Sequence, residues 1–169
     1  VVSLFSMVMN ALAQSVPSPK SFLGYEIGQR FTPHHKIVSY FEALAKAAPT
    51  QMKLEQYGKT NEGRPLLLAF IGSASNMSQL ETIRQNNLKL AGMMEGTAGT
   101  TNTAIVWMSY NVHGNEASSS EAVMKTVHFL LTDARAQEWL KNTVVVIDPC
   151  INPDGRDRYV NWYNSVVGD

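Results

Sequence analysis

A histidine and a glutamate stand three residues apart in the segment NVHGNEASSSE, as His113 and Glu116. An imidazole nitrogen and a carboxylate oxygen are both zinc ligands, and a catalytic zinc takes three protein ligands while keeping one position for water. This spacing, where a strand-like run gives way to a helix-like one, aims both groups at one ion, and Gly114 permits a tight backbone path between them. About forty residues on, NPDGRDR follows another apolar run and carries Arg156 and Arg158. Alternate residues after a turn can point the same way, and a guanidinium forks onto a carboxylate through paired hydrogen bonds. Both arginines are therefore candidates for holding a peptide C-terminus.

Each signal has a plainer reading. A His-x-x-Glu pair also arises by chance, its glutamate then serving only the helix dipole. The arginines could be surface charges beside Asp154 and Asp157. The His-Glu-x-x-His pattern of another zinc peptidase class is absent. His128 lies twelve residues past Glu116 on the same predicted helix. At 1.5 Å per residue that is about 18 Å along the axis, too far to share a metal. His34 and His35 open an earlier helix and are expected at the surface. Two ligands of three are therefore in view.

The elements around the pair give it a location. Residues 103–110 form a near-continuous apolar run, which predicts a strand buried on both faces. Residues 116–131 predict a helix with Ala122, Val123, Val127, Leu130 and Leu131 as its apolar stripe. Residues 144–147 predict a second buried strand. Strand–helix–strand with apolar strands implies a parallel βαβ unit. Ligands bind at the carboxyl ends of strands in such sheets, and that is where His113 and Glu116 fall. Upstream, Thr32 and Pro33 predict a helix start, with Thr32 as cap and Pro33 at the first helical position. Ile37, Tyr40, Phe41, Leu44 and Ala48 recur at helical spacing up to Pro49. MKLEQYG and PLLLAFIGS flank the turn KTNEGRP and predict a hairpin. Residues 78–94 predict a further helix.

Composition excludes some functions. The chain has 169 residues, 44% hydrophobic, with a formal net charge of +0. That suffices for one domain core. It leaves no electrostatic footprint for nucleic acid or an anionic membrane, and no run is long enough for a stable membrane span. Residues 1–13 resemble the remnant of a signal peptide, with cleavage expected after Ala13 in Ala11-Leu12-Ala13 and its start upstream. Residues 14–31 read as a linker, and 32–169 as folded domain. A secreted or periplasmic location is expected. Cys150 is the only cysteine, so no internal disulfide is expected, and its apolar neighbours predict a buried, inert thiol.

TNEGRPLLL at 60–68, HGNE at 113–116 and NPDGRDR at 152–158, in that order, resemble the metallocarboxypeptidases, the zinc exopeptidases that include carboxypeptidase A. The resemblance covers about residues 32–169 and implies the N-terminal part of the catalytic domain. The implied fold is α/β, a mixed, largely parallel β-sheet flanked by helices and incomplete at the C-terminus. The implied cofactor is one Zn2+, with His113 and Glu116 as its first two ligands and the third missing from this chain. The implied reaction is hydrolysis of C-terminal peptide bonds by zinc-activated water. The third ligand, the glutamate general base and the substrate-binding Asn-Arg pair and tyrosine would lie beyond Asp169, so the chain by itself is expected to be inactive. An arginine after the NPDG turn stabilises the oxyanion in the family, a role that would fall to Arg158 ahead of Arg156. Asn115 stands where carboxypeptidase A has arginine, a more bacterial pattern. The implied partners are peptide or protein C-termini, cell-wall peptides among them. Two alternatives stay open: a related zinc deacylase or cell-wall peptide amidase, and a non-catalytic module that binds carboxylate-terminated peptides.

Overall fold

A computed structural model describes residues 15–100 and 103–167. The signal-like segment at 1–13 lies outside the described residues. Four strands form one mixed sheet in the order β1-β2-β4-β3: β1 (Met52–Lys59), β2 (Pro65–Ile71), β3 (Ala104–Ser109) and β4 (Thr143–Asp148). The expected hairpin is present, β1 pairing antiparallel with β2, with a register shift between Gln56 and Gly58. The expected βαβ unit is present too. β3 runs parallel to β4, joined by α5 (Ala117–Thr132) and the short α6 (Ala134–Trp139). β2 and β4 pair antiparallel, which joins the two units.

The side-chain alternation of a strand explains the two layers. Ala69, Ile71, Val145 and Ile147 face α2 (His34–Ala47) and α5, whose Ile37, Phe41, Leu44, Val123, Met124 and Val127 complete the main core. Val144 and Val146 face the opposite way, onto Ile83 of α4 (Leu80–Leu90). The helix expected over 78–94 is in fact two, α3 (Ala74–Ser78) capped by Ser73, then α4. Leu90, at the end of α4, is exposed.

Other sequence expectations also need correction. β4 is buried on both faces as expected, but β3 is not: Ile105, Val106 and Trp107 are exposed, Trp107 by 60%. An apolar run reports a strand but not its place in the sheet, and among the described residues only β4 pairs with β3. Residues 15–31, read as a linker, carry α1 (Pro19–Leu23), capped by Ser18, and Leu23 and Tyr25 enter the main core. Finally, NPDG does not turn and release the chain. Asn152 accepts the Gly155 N–H at 2.9 Å and Pro153 opens the 15-residue α7 (Pro153–Val167), a helix start with proline in its first position. Tyr159 and Tyr163 on α7 pack on Phe31.

The start of α2 also departs from expectation. Pro33 is the flanking residue and Thr32 makes no cap. His34 is buried, not exposed: its N–H donates to Asp157 Oδ1 at 2.9 Å and its Nε2 lies 3.0 Å from the Pro65 carbonyl. A carbonyl only accepts, so Nε2 carries the proton. His35 is exposed. Burial is the main cause holding the His34 pKa below its ordinary value; Arg156 and Arg64 push the same way, and the Pro65 carbonyl and Asp157 oppose them. The unfolded chain therefore binds a proton at higher pH than the native one, so stability is full above the unfolded value of about 6.5 and declines as pH falls below it. Thermal melts of the full-length protein should show this loss as pH falls below about 6.5, and His34→Asn should flatten it. An unchanged slope in the variant would reject the assignment.

Candidate metal centre

The parallel ladder runs past the ends of β3 and β4 into the loops. Tyr110 N donates to Asp148 O at 3.0 Å, Ile151 N to Tyr110 O at 3.0 Å and Asn152 N to Asn111 O at 3.2 Å. This stitching brings HGNE and NPDG side by side. The approach is close: a Cβ on Gly114 would sit 2.2 Å from the Gly155 carbonyl carbon, so only glycine fits at 114.

His113 lies in the loop after β3, and Glu116 is the residue flanking the start of α5, with no side-chain cap bond. The structure brings them together. His113 Nδ1 is 3.1 Å from Glu116 Oε1, and the His113 N–H donates to Glu116 Oε2 at 3.2 Å. Two donors on one tetrahedral zinc at about 2.1 Å each would lie about 3.4 Å apart. The donor set fits a metal, and both side chains are open to solvent, by 74% and 54%. Hydrogen bonds from the His113 ring and N–H hold the Glu116 carboxyl below the usual carboxylate range. No group of three His, Cys, Asp or Glu stands together among the described residues. His128 is on α5, as expected.

The arginines part company. Residues two apart on a helix are about 200° apart around its axis, so Arg156 and Arg158 point away from each other. Arg156 has no solvent exposure, and its terminal nitrogens donate to Asn111 Oδ1 (2.9 Å), Ala117 O (2.6 Å), Thr32 O (2.8 Å) and Glu121 Oε1 (2.7 Å). It is out of reach of any substrate, which corrects the substrate-binding expectation for this residue. The reading assumed strand-like alternation, and the residues are helical. Arg158 is exposed and hydrogen-bonds Glu62 in the β1–β2 turn. A peptide carboxylate reaching it would have to displace Glu62.

That turn completes the convergence. Arg64 donates to Asp154 at 2.7 Å and Asp157 at 2.8 Å, and Thr60 Oγ1 to Asp154 at 2.7 Å. All three sequence motifs thus meet at one end of the molecule. The chain also matches the family model described as zinc carboxypeptidase, over residues 37–165. The chain belongs to the zinc carboxypeptidase family. Solved structures agree on the fold. Carboxypeptidase A from Helicoverpa armigera superposes with a TM-score of 0.57 at 21% identity, over 77% of this chain and 28% of that one. A metallo-carboxypeptidase from Burkholderia cenocepacia gives 0.54 at 22% identity, over 76% and 29%. Thrombin activatable fibrinolysis inhibitor gives 0.55 at 17% identity, over 89% and 31%. The chain therefore spans less than a third of these structures.

Sequence reasoning missed Asn111, Thr32 and Glu121, the residues around Arg156. Asn111 adopts a left-handed φ of 55°, which asparagine tolerates better than most. Glu121 accepts from Thr32 N and Thr32 Oγ1 at 2.5 and 2.8 Å. Cys150 is buried as expected, and burial pushes its thiol up to about 11, so it stays protonated. For the zinc carboxypeptidase chain, Gly114→Ala should cost about 1–3 kcal/mol by overpacking against backbone that cannot move aside. Gly155→Ala should cost less, because the atoms nearest its new Cβ belong to the Asn152 side chain and not to backbone. Denaturant melts of both variants check the order, and equal losses would contradict it.

Proposed function

We propose that these residues belong to a secreted or periplasmic zinc carboxypeptidase that hydrolyses C-terminal peptide bonds, with His113 and Glu116 as two of the metal's protein ligands. The observation that carries this reading is the 3.1 Å separation of His113 Nδ1 and Glu116 Oε1, at the carboxyl end of a parallel strand pair. Membership of the family supports it. When bound, zinc supplies a Lewis acid that polarises a carbonyl and lowers the pKa of a water. The chain's own contribution is to bring the two donors to 3.1 Å from each other and to leave both facing solvent. The third ligand and the general base come from sequence outside the described residues, and residues 1–169 by themselves are inactive. The signal-like segment at 1–13 supports export, and among the described residues no helix is long and apolar enough to cross a membrane.

The test uses the full-length protein. It should carry one zinc per chain and release C-terminal amino acids from peptides. His113→Ala should lose the zinc and drop hydrolysis to the level of the chelator-treated wild type. If His113→Ala abolished neither, the ligand assignment would fall. If the wild type bound carboxylate-terminated peptides without zinc or hydrolysis, the binding-module alternative would replace it. Cleavage confined to N-acyl amino acids or cell-wall peptides would favour the amidase alternative.

A further inference from the structure

The side chains of His113 and Glu116 are both exposed, and among the described residues they hydrogen-bond only to each other and, for Glu116, to the His113 N–H. Their aim must come from the backbone of the loop at 111–117. That backbone is fixed from below. Asn111 Nδ2 donates to the His113 carbonyl at 2.6 Å, and Asn111 Oδ1 accepts from Arg156 Nη1 at 2.9 Å. The same Nη1 donates to the carbonyl of Ala117, the residue after Glu116, at 2.6 Å. One guanidinium nitrogen thus grips the loop before the first donor and after the second. The left-handed φ of Asn111 lets its side chain tuck under its own loop. Glu121 and Thr32 O hold the other end of the guanidinium.

The geometry points to Arg156 and Asn111 as positioning residues that set the metal-donor geometry of His113 and Glu116 from beneath the site. This rests on the reading of His113 and Glu116 as metal ligands. The action is geometric. Arg156 is fully buried, touches no reacting atom and has its charge paired with Glu121 at 2.7 Å. Charge alone should therefore not substitute for the fork, and lysine should fail in its place.

The experiment measures zinc affinity by chelator competition in the full-length protein, alongside the melting temperature and the visible spectrum of the Co2+ form. Three variants are compared with wild type. Asn111→Gly keeps the left-handed backbone and the Arg156–Glu121 pair but deletes the side-chain bonds to the His113 and Gly114 carbonyls and from Arg156, Ser120 and Cys150. Arg156→Lys keeps the charge. Leu44→Ala, in the buried face of α2, is a stability control remote from the loop. Asn111→Gly should weaken zinc binding about 10- to 100-fold, as loss of supporting hydrogen bonds around metal ligands does, and alter the Co2+ spectrum. Arg156→Lys, where it folds, should do the same. Leu44→Ala should melt lower yet bind zinc as wild type does. Unchanged affinity in Asn111→Gly would overturn the proposal, as would an equal loss in Leu44→Ala. A wild type that binds no zinc would instead sink the ligand assignment itself, and that result is visible without any variant.

Discussion

A guanidinium sealed from water is the constraint around which this end of the molecule is arranged. Removing Arg156 and Glu121 from solvent is costly, and their mutual attraction offsets that cost only if the remaining protons and lone pairs are satisfied. Burial alone pushes the Arg156 pKa down, and Glu121 pushes back. The neighbours of the two terminal nitrogens are accordingly specified, with the Thr32 carbonyl and amide, the Asn111 amide and the Ala117 carbonyl each in the network, while the buried Nε has no hydrogen-bond partner among the described residues. Pro33, which has no side-chain acceptor, fills the cap position of α2, so the chain enters that helix without a side-chain cap. The conformation of Asn111 and the start of α5 follow from the same requirement.

A second, more exposed set of charges attaches the hairpin. Asp157 accepts from the His34 amide and from Arg64 Nε, and so links α2, the β1–β2 turn and α7. Arg64 is partly solvated, so these contacts contribute orientation more than stability. The division of labour is clear. The buried pair sets the floor of the site, and the surface cluster ties the hairpin tip to α7.

Local patterns were legible where local physics decides. The apolar runs of β3 and β4 with the intervening stripe of α5 gave the parallel unit, and His113 with Glu116 could be placed at its carboxyl end before any coordinates. The failures share a cause. Arg156 and Arg158 share a side in a strand but not in a helix, so misreading α7 as a turn misplaced both. The helical spacing of Tyr159 and Tyr163 was the available signal. The exposure of β3 and the burial of His34 depend on neighbours distant in sequence, which periodicity cannot report. Glu121 was hidden for the same reason: its partners, Thr32 and Arg156, lie 89 and 35 residues away.

Those separations bear on how the protein folds. The Arg156 centre gathers residues from four parts of the chain, its longest bond spanning 124 positions from Thr32. Closing loops of that size carries an entropic cost before any contact rewards it, and such contacts form late. The β1–β2 hairpin can assemble from neighbours, and the β3–α5–β4 unit needs only a crossover. The floor beneath His113 and Glu116 cannot form until α2 and α7 have both docked. Nascent chains would therefore present the two donors on an unfixed loop, and a metal-competent arrangement would appear only with the last long-range closure.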